Sequence, residues 1–510
     1  MGRGLFSACR TCGHLAVTIR RDKQKRMVAR LFHILKKQMK KQLHRLLLPV
    51  AAVLFAGSGY AHDVEVNGIY YNLNTTEKTA DVTYQGEHAF SYPERYTGDV
   101  TIPASIIWEG NTYVVTGIGE EAFYHCSQLT SVVISSSVTS IGRHAFEDCS
   151  GLTSVSIPSS VTSIGSGAFK NCCELTAVTI PSSVTSIESD AFLGCSGLTS
   201  VTIPSSVTSI GGGAFLGCSG LTSISIPSSV TSIGDCAFTE CSRLVTINVS
   251  PDNTEYSSAD GILYNKDKTI LHACPNGKVG AITIPSTVTS IGYAAFYCCS
   301  GLTTINIPSS VTSIESAFSL CSKLIAINVS PDNAKYCSAD GTLYNKDETI
   351  LHTCPNGKVG TFTIPSTVTS IGYEAFHGCS GLTTITIPSS VASIGGYAFF
   401  GCNKLITIYS FNPTPPIVNK YSGCFTGTHF YDATLYVPFE ALEAYQTADS
   451  WKQFQNIQGF DATGIGDIEA NRNGMQEIYY DLSGRRSATP HRGVNIVRSS
   501  NGTTRKIMMK

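Results

Sequence analysis

Cysteine has the most chemistry to offer in this chain: there are 19, and ten of them close a recurring A-F-x-x-C step. These ten are Cys126, Cys149, Cys172, Cys195, Cys218, Cys241, Cys299, Cys321, Cys379 and Cys402. A thiol can act as nucleophile, metal ligand or half of a disulfide, but each role needs a second group converging on it. Equal phase in a repeat instead predicts a ladder with neighbours about 5 Å apart and parallel Cβ vectors, which suits the disulfide torsion poorly. The reading is therefore of buried thiols acting as small apolar groups. Cys274, Cys337 and Cys354 lie outside that phase and are expected to be more exposed. His272-x-Cys274 and His352-x-Cys354 each supply two ligands on one hairpin, short of a tetrahedral site. Cys9 and Cys12 form a C-x-x-C with no second ligand pair at metal-site spacing. Asp252, Asn253 and Asp260 miss the 12-residue calcium-loop spacing and read as turn residues. With no Gly-rich phosphate loop, G-x-S-x-G elbow or H-E-x-x-H, no catalytic residue, metal or cofactor is assigned, and the chain reads as non-enzymatic.

The cysteines belong to a larger unit, I-P-S-S-V-T-S-I-G-x-x-A-F-x-x-C-S-G-L-T-S-V, with Ile157, Ile180, Ile203 and Ile226 spaced 23 residues apart. A fixed period of this size is the mark of a solenoid, whose units bury their apolar sides only against neighbours. In one unit, Val201 and Ile203 fit a short strand ended by Pro204, and Val207 and Ile210 a second extended stretch. Gly211 is read as permitting a turn, and Phe215 as stacking on the phenylalanines of adjacent units.

This pattern resembles the BspA-like leucine-rich repeats over residues 113–410. The resemblance implies a curved, mainly β repeat solenoid with one strand per unit lining its concave side. It further implies a cell-surface or secreted adhesin that binds host extracellular proteins or other cells.

Two nearly identical blocks interrupt the period, near 250–283 and 330–363. Ile262 to Tyr264 and Thr269 to Leu271 flank a polar turn and predict a β-hairpin that protrudes, where partners are often met. Residues 62–112 and 411–460 read as an N-terminal β cap and a C-terminal cap, the latter carrying Leu442, Tyr445, Trp451 and Phe454; 461–474 reads as a linker.

The ends bear on location. Residues 39–61 combine Lys40, Lys41 and Arg45 with an apolar run from Leu46 to Gly57 too short to span a bilayer, which predicts a signal peptide; 1–38 read as a spurious or disordered extension. Residues 1–45 hold 13 Lys or Arg and one acidic residue, leaving 23 basic against 36 acidic residues beyond, a net of about −13. An acidic body argues against nucleic acid as partner, and no integral membrane span is expected after signal removal. Residues 475–510 resemble the C-terminal sorting domain of type IX secretion clients through Asp481, Leu482, Gly484, Arg485 and Gly493, with Asn495 where that family carries an aromatic residue. That resemblance implies engagement of the secretion machinery and arrival at the cell surface or release from it; a plain β-hairpin is the alternative.

Candidate contacts for a protein or glycan on other cells are of two kinds. Outward strand positions form polar pairs, among them Thr304 with Asn306 and Thr384 with Thr386. Better anchors, because binding energy concentrates in aromatic residues, are Tyr373, Tyr397 and Phe400 in the last units and Tyr264 and Tyr344 on the insert hairpins. The rival readings are a structural surface-layer spacer, favoured by near-identical units, and a glycan-binding module.

Overall fold

The computed structural model describes residues 62–85, 96–418, 423–425 and 432–460, together with the backbone of four strands between 478 and 509. The leader, Cys9 and Cys12, the linker, and Asp481, Leu482, Gly484 and Arg485 of the sorting-like motif lie outside the described residues.

Each 23-residue turn contributes two parallel strands, one at each of the two extended stretches read from the sequence. The longer includes Ser200–Thr202 in register with Ala177–Thr179, and Ser223–Ile226 with Thr246–Val249. The shorter is the Ser-Ile step, with Ser186–Ile187, Ser209–Ile210 and Ser232–Ile233 paired in sequence. Between the two sheets lies the core, with Leu198, Val207, Ala214, Phe215 and Cys218 inaccessible to solvent.

The third side of each turn is the A-F-x-x-C corner. The residue before Ala-Phe is left-handed in turn after turn, as at His144, Asp190, Cys236, Ala294 and Glu374, and so is the residue before Cys, as at Asp148, Asn171 and Glu240. These two reversals direct the phenylalanine inward. From Phe123 to Phe238 the rings stack with centroids 4.8 to 6.0 Å apart. Gly211 differs from its sequence reading: its φ is not positive, and a Cβ there would stand 2.4 Å from the Ser189 nitrogen, so close stacking of turns demands glycine.

Serine and threonine supply inter-turn bonds. The hydroxyls of Ser160, Ser206 and Ser229 each donate at 2.7 Å to the valine carbonyl of the preceding turn. Thr208 and Thr231 donate likewise to Thr185 and Thr208.

At the N-terminal end an antiparallel meander, Val64–Val66, Ile69–Asn74 and Thr79–Thr83, joins the shorter-strand sheet through Asn111–Ile118. Tyr96 begins the ring stack, 4.5 Å from Phe123, and its hydroxyl donates to the Thr83 carbonyl at 2.8 Å. At the other end Phe425 continues the stack from Phe399 and meets Trp451 and Phe454 edge-on, while the Trp451 indole donates to Pro416 O at 2.9 Å. Farther on, Ile478–Tyr480, Arg486–Ser487, Gly493–Arg498 and Thr504–Met509 form a four-stranded antiparallel sheet.

The inserts do not protrude as hairpins. Tyr256–Ala259, Ile262–Asn265 and Ile270–Ala273 make an antiparallel meander whose last strand pairs in parallel with Ser290–Ile291, so the insert is built into the wall. The second insert repeats this with Tyr336–Ala339, Thr342–Asn345 and Ile350–Thr353. Asn253 clamps the first insert: fully buried, its amide donates to Pro227 O and Val230 O at 2.8 and 2.9 Å and accepts from the backbone of Glu255 and Tyr256 at 2.9 and 2.7 Å. Asn333 makes the same four bonds in the second insert.

Candidate functional site: an aromatic face beside the insert seams

All seventeen cysteines among the described residues are free, and those of the repeat phase are buried. Their thiols are hydrogen-bonded: Cys149, Cys195 and Cys218 donate to the carbonyls of Phe123, Phe169 and Phe192 at 3.0 to 3.1 Å. Burial pushes Cys241 and Cys321 up to about 12, so neither is a thiolate at neutral pH. Cys274 and Cys354, expected to be more exposed, are buried at 5% and 1% accessibility; Cys337 is half-buried. They are covered because the insert strands are core strands. His272 packs edge-on against Tyr256 at 5.5 Å and burial lowers its pKa. Among the described residues no group of three His, Cys, Asp or Glu is placed to hold a metal ion.

Tyr264 and Tyr344 are corrections of the same origin. Each is 2% exposed, facing the core from the middle strand of its insert, and neither can reach a partner. The polar pairs stand where expected on the longer strands. Thr304 pairs with Ala326, and Asn306 with Asn328, whose side-chain amide donates to Asn306 Oδ1 at 3.0 Å; Asn306 Nδ2 in turn donates to Thr283 Oγ1 at 3.1 Å. Part of that bonding capacity is spent within the ladder. Thr384 and Thr386 continue in register to Thr407 and Tyr409.

The late aromatics come together on the corner side. Tyr373 and Tyr397 are 52% and 40% exposed with ring centroids 5.9 Å apart; Phe400 lies 5.9 Å from Tyr397 and 5.1 Å from His377, which lies 6.5 Å from Tyr297. These rings form one connected face. Tyr293, 50% exposed, extends it across the shortened turn at 313–321, whose small Ser319 stands where other turns carry larger groups. Burial and the neighbouring Glu374 push Tyr373 up to about 12. Burial works to raise Glu374, but contacts from His377, Ser319 and Tyr373 outweigh it and hold the carboxyl below its usual range. Ser319 Oγ donates to its Oε2 at 3.0 Å, and His377 Nδ1 stands 3.7 Å away.

Sequence reasoning missed a second aromatic group, on the outer face of the longer-strand sheet at its C-terminal end. Tyr409 and Tyr436 stack at 4.9 Å, with Phe460 edge-on to Tyr409 at 6.2 Å and to Phe411 at 5.0 Å. The signal was available in the repeat register, since Tyr409 occupies the outward position filled by Thr386 one turn earlier.

These features can be set beside known proteins. Residues 116–259, 272–340 and 352–454 match the BspA type Leucine rich repeat region family, in six copies. A leucine rich cell surface protein from Faecalibacterium prausnitzii is 33% identical over 68% of this chain and 94% of its own, with a TM-score of 0.52. The pneumococcal vaccine antigen PcpA is 20% identical, covering 78% of this chain and 98% of its own at a TM-score of 0.49. A leucine-rich repeat protein from Bacteroides ovatus is 26% identical, with coverages of 68% and 94% and a TM-score of 0.35. No curated protein matches the chain. The two-strand turn, the Phe and Cys ladders and the matched span agree: the chain belongs to the BspA type leucine-rich repeat family.

Proposed function

We propose that this chain is an exported adhesin that binds host extracellular proteins or other cells through the corner-side aromatic face. The observation that carries the reading is the connected set Tyr297, His377, Phe400, Tyr397 and Tyr373 on an otherwise Ser/Thr-rich scaffold. Exposed aromatic clusters mark interaction surfaces, and interface energy concentrates in such anchors. The cell-surface designation of the Faecalibacterium relative supports surface display. A signal peptide at 39–61 and a sorting-like segment at 475–510 supply the route in this reading, with final attachment to or release from the cell surface.

The test is binding of the purified chain to immobilised matrix proteins and whole cells, with Tyr373→Ser plus Tyr397→Ser as the variant. Binding weakened about tenfold or more supports the face as the site; unchanged binding removes it. Deleting 475–510 should hold the protein in the periplasm, and undiminished surface display would end the sorting assignment.

Glycan binding is the second reading, favoured by the Tyr409–Tyr436 stack and its flanking Phe460 beside Thr407, Thr434 and Asn456. Aromatic rings next to hydrogen-bonding side chains suit sugar faces and hydroxyls. A glycan array with Tyr436→Ser as control decides it: binding lost in the variant supports this reading, and equal binding by both proteins rejects it.

A further inference from the structure

Each insert removes one corner from the third side of the solenoid. The strand Ile270–Ala273 leads into Cys274-Pro275-Asn276-Gly277 in place of G-x-x-A-F-x-x-C, and the Cys274 nitrogen takes up the bond to Ala295 O, at 2.7 Å, that a corner phenylalanine makes elsewhere. Cys299 Sγ then faces Cys274 O at 3.6 Å, as other corner thiols face a Phe carbonyl. A small side chain thus stands at a phenylalanine position, and the stack of corner phenylalanines is interrupted there.

The two copies treat that seam differently. In the second, Glu374 crosses it to accept from Ser319, Phe362 meets Phe376 edge-on at 5.3 Å, and Asn356 Oδ1 accepts from the Cys321 nitrogen at 2.8 Å. In the first, Ala294 replaces Glu374, Ile282 replaces Phe362, and the counterpart of Asn356, Asn276, is 4% exposed with an Oδ1 that has no partner. Beside this first seam, with Ala294 in its wall and Asn276 and Ile282 outside its lining, lies a cleft of about 290 Å³ bounded by Ala294, Thr239, Cys236 and Tyr293, with Asp235 and Glu315 among its lining residues. No Lys or Arg lines it, and its one histidine, His272, has a lowered pKa through burial.

We propose that this cleft receives a cationic side chain, arginine or lysine, of a protein partner. This rests on the reading of the chain as a binding protein and gives that reading its ligand chemistry. The volume suits one side chain and lies just below the range of small-molecule pockets. Two carboxylates and a tyrosine ring favour a positive group by Coulomb attraction and by cation–π contact. Tyr293 at the cleft's edge is pushed up by burial first and then by Glu374, Cys236 and Asp235, of which Glu374 stands outside the cleft.

The second copy supplies the control. Ala294 has φ 54° and Glu374 φ 56°, so a longer side chain is compatible with that backbone. The full chain is titrated by ligand-observed NMR with acetyl-Gly-Arg-Gly-amide and with its neutral citrulline analogue. Saturable binding of the arginine peptide, at least tenfold weaker for citrulline, is expected. Ala294→Gln, which fills the cleft without adding charge, should abolish it, and Asp235→Asn with Glu315→Gln should weaken it at least tenfold without changing volume. Equal binding of the two peptides, or binding undiminished in the filled variant and in the charge-neutral variant, overturns the proposal. Peptide binding that persists when the chain fails to adhere to matrix or cells would remove the adhesin reading and leave the cleft standing. Adhesion with no peptide binding would do the reverse.

Discussion

At the scale of residues, the thiols and the asparagine clamps behave opposite to their usual surface roles. Iodoacetamide at mild alkaline pH should label the folded chain at the half-buried Cys173, Cys236 and Cys337 among the described cysteines, and much more slowly at half-buried Cys298, which burial and Glu240 push up to about 12. Mass spectrometry should find Cys195, Cys218 and Cys241 modified only after denaturation; early labelling there would contradict the ladder. Asn253 makes four buried hydrogen bonds, so Asn253→Ala should destabilise by about 3 kcal/mol, read as a shift in the urea midpoint. Glu374 has a depressed folded pKa, so its contribution is present above the ordinary value of 4.5 and is lost as pH falls through the folded value. Glu374→Gln should therefore flatten the acid limb of the stability profile, and an unchanged limb would show that the Ser319 and His377 contacts contribute nothing.

At the scale of elements, Phe192→Ala removes a fully buried ring stacked on both sides at 5.5 Å and should cost about 3 to 5 kcal/mol in thermal or denaturant unfolding. The 23-residue turn, its two extended stretches and its Phe and Cys ladders were legible because the same residues recur at fixed spacing. The inserts were less so. Ile262, Leu263 and Tyr264 are three successive buried residues on one strand, a pattern compatible with either a protruding hairpin or a wall strand. What decides between them is the parallel pairing of Ile270–Ala273 with Ser290–Ile291, a contact between segments that no local signal specifies. For the same reason Tyr373, Tyr397 and Phe400 could be named individually, whereas their junction with Tyr297 and His377 depends on the short turn at 313–321. The cleft lies where the copies differ at several positions, and the meaning of one of them, Ala294 for Glu374, emerges only once Ser319 is seen opposite.

At the scale of the whole molecule, the buried apolar residues form three clusters that meet at the inserts: one reaching Leu263, one running from Ile262 to Leu343, and one beginning at Tyr344. In a solenoid, stability is nearly a sum of units and their interfaces, so a weak interface divides the cooperative unit. Native-state hydrogen exchange should show three blocks of protection with boundaries near residues 263 and 343, and one uniform block would contradict this division. The breaks in the stack of corner phenylalanines at the inserts also have a mechanical meaning. Pulled from its two ends, the chain would lengthen in separate steps, each yielding segment shedding load before the next gives way, so that a tether made of it would dissipate a tug rather than snap.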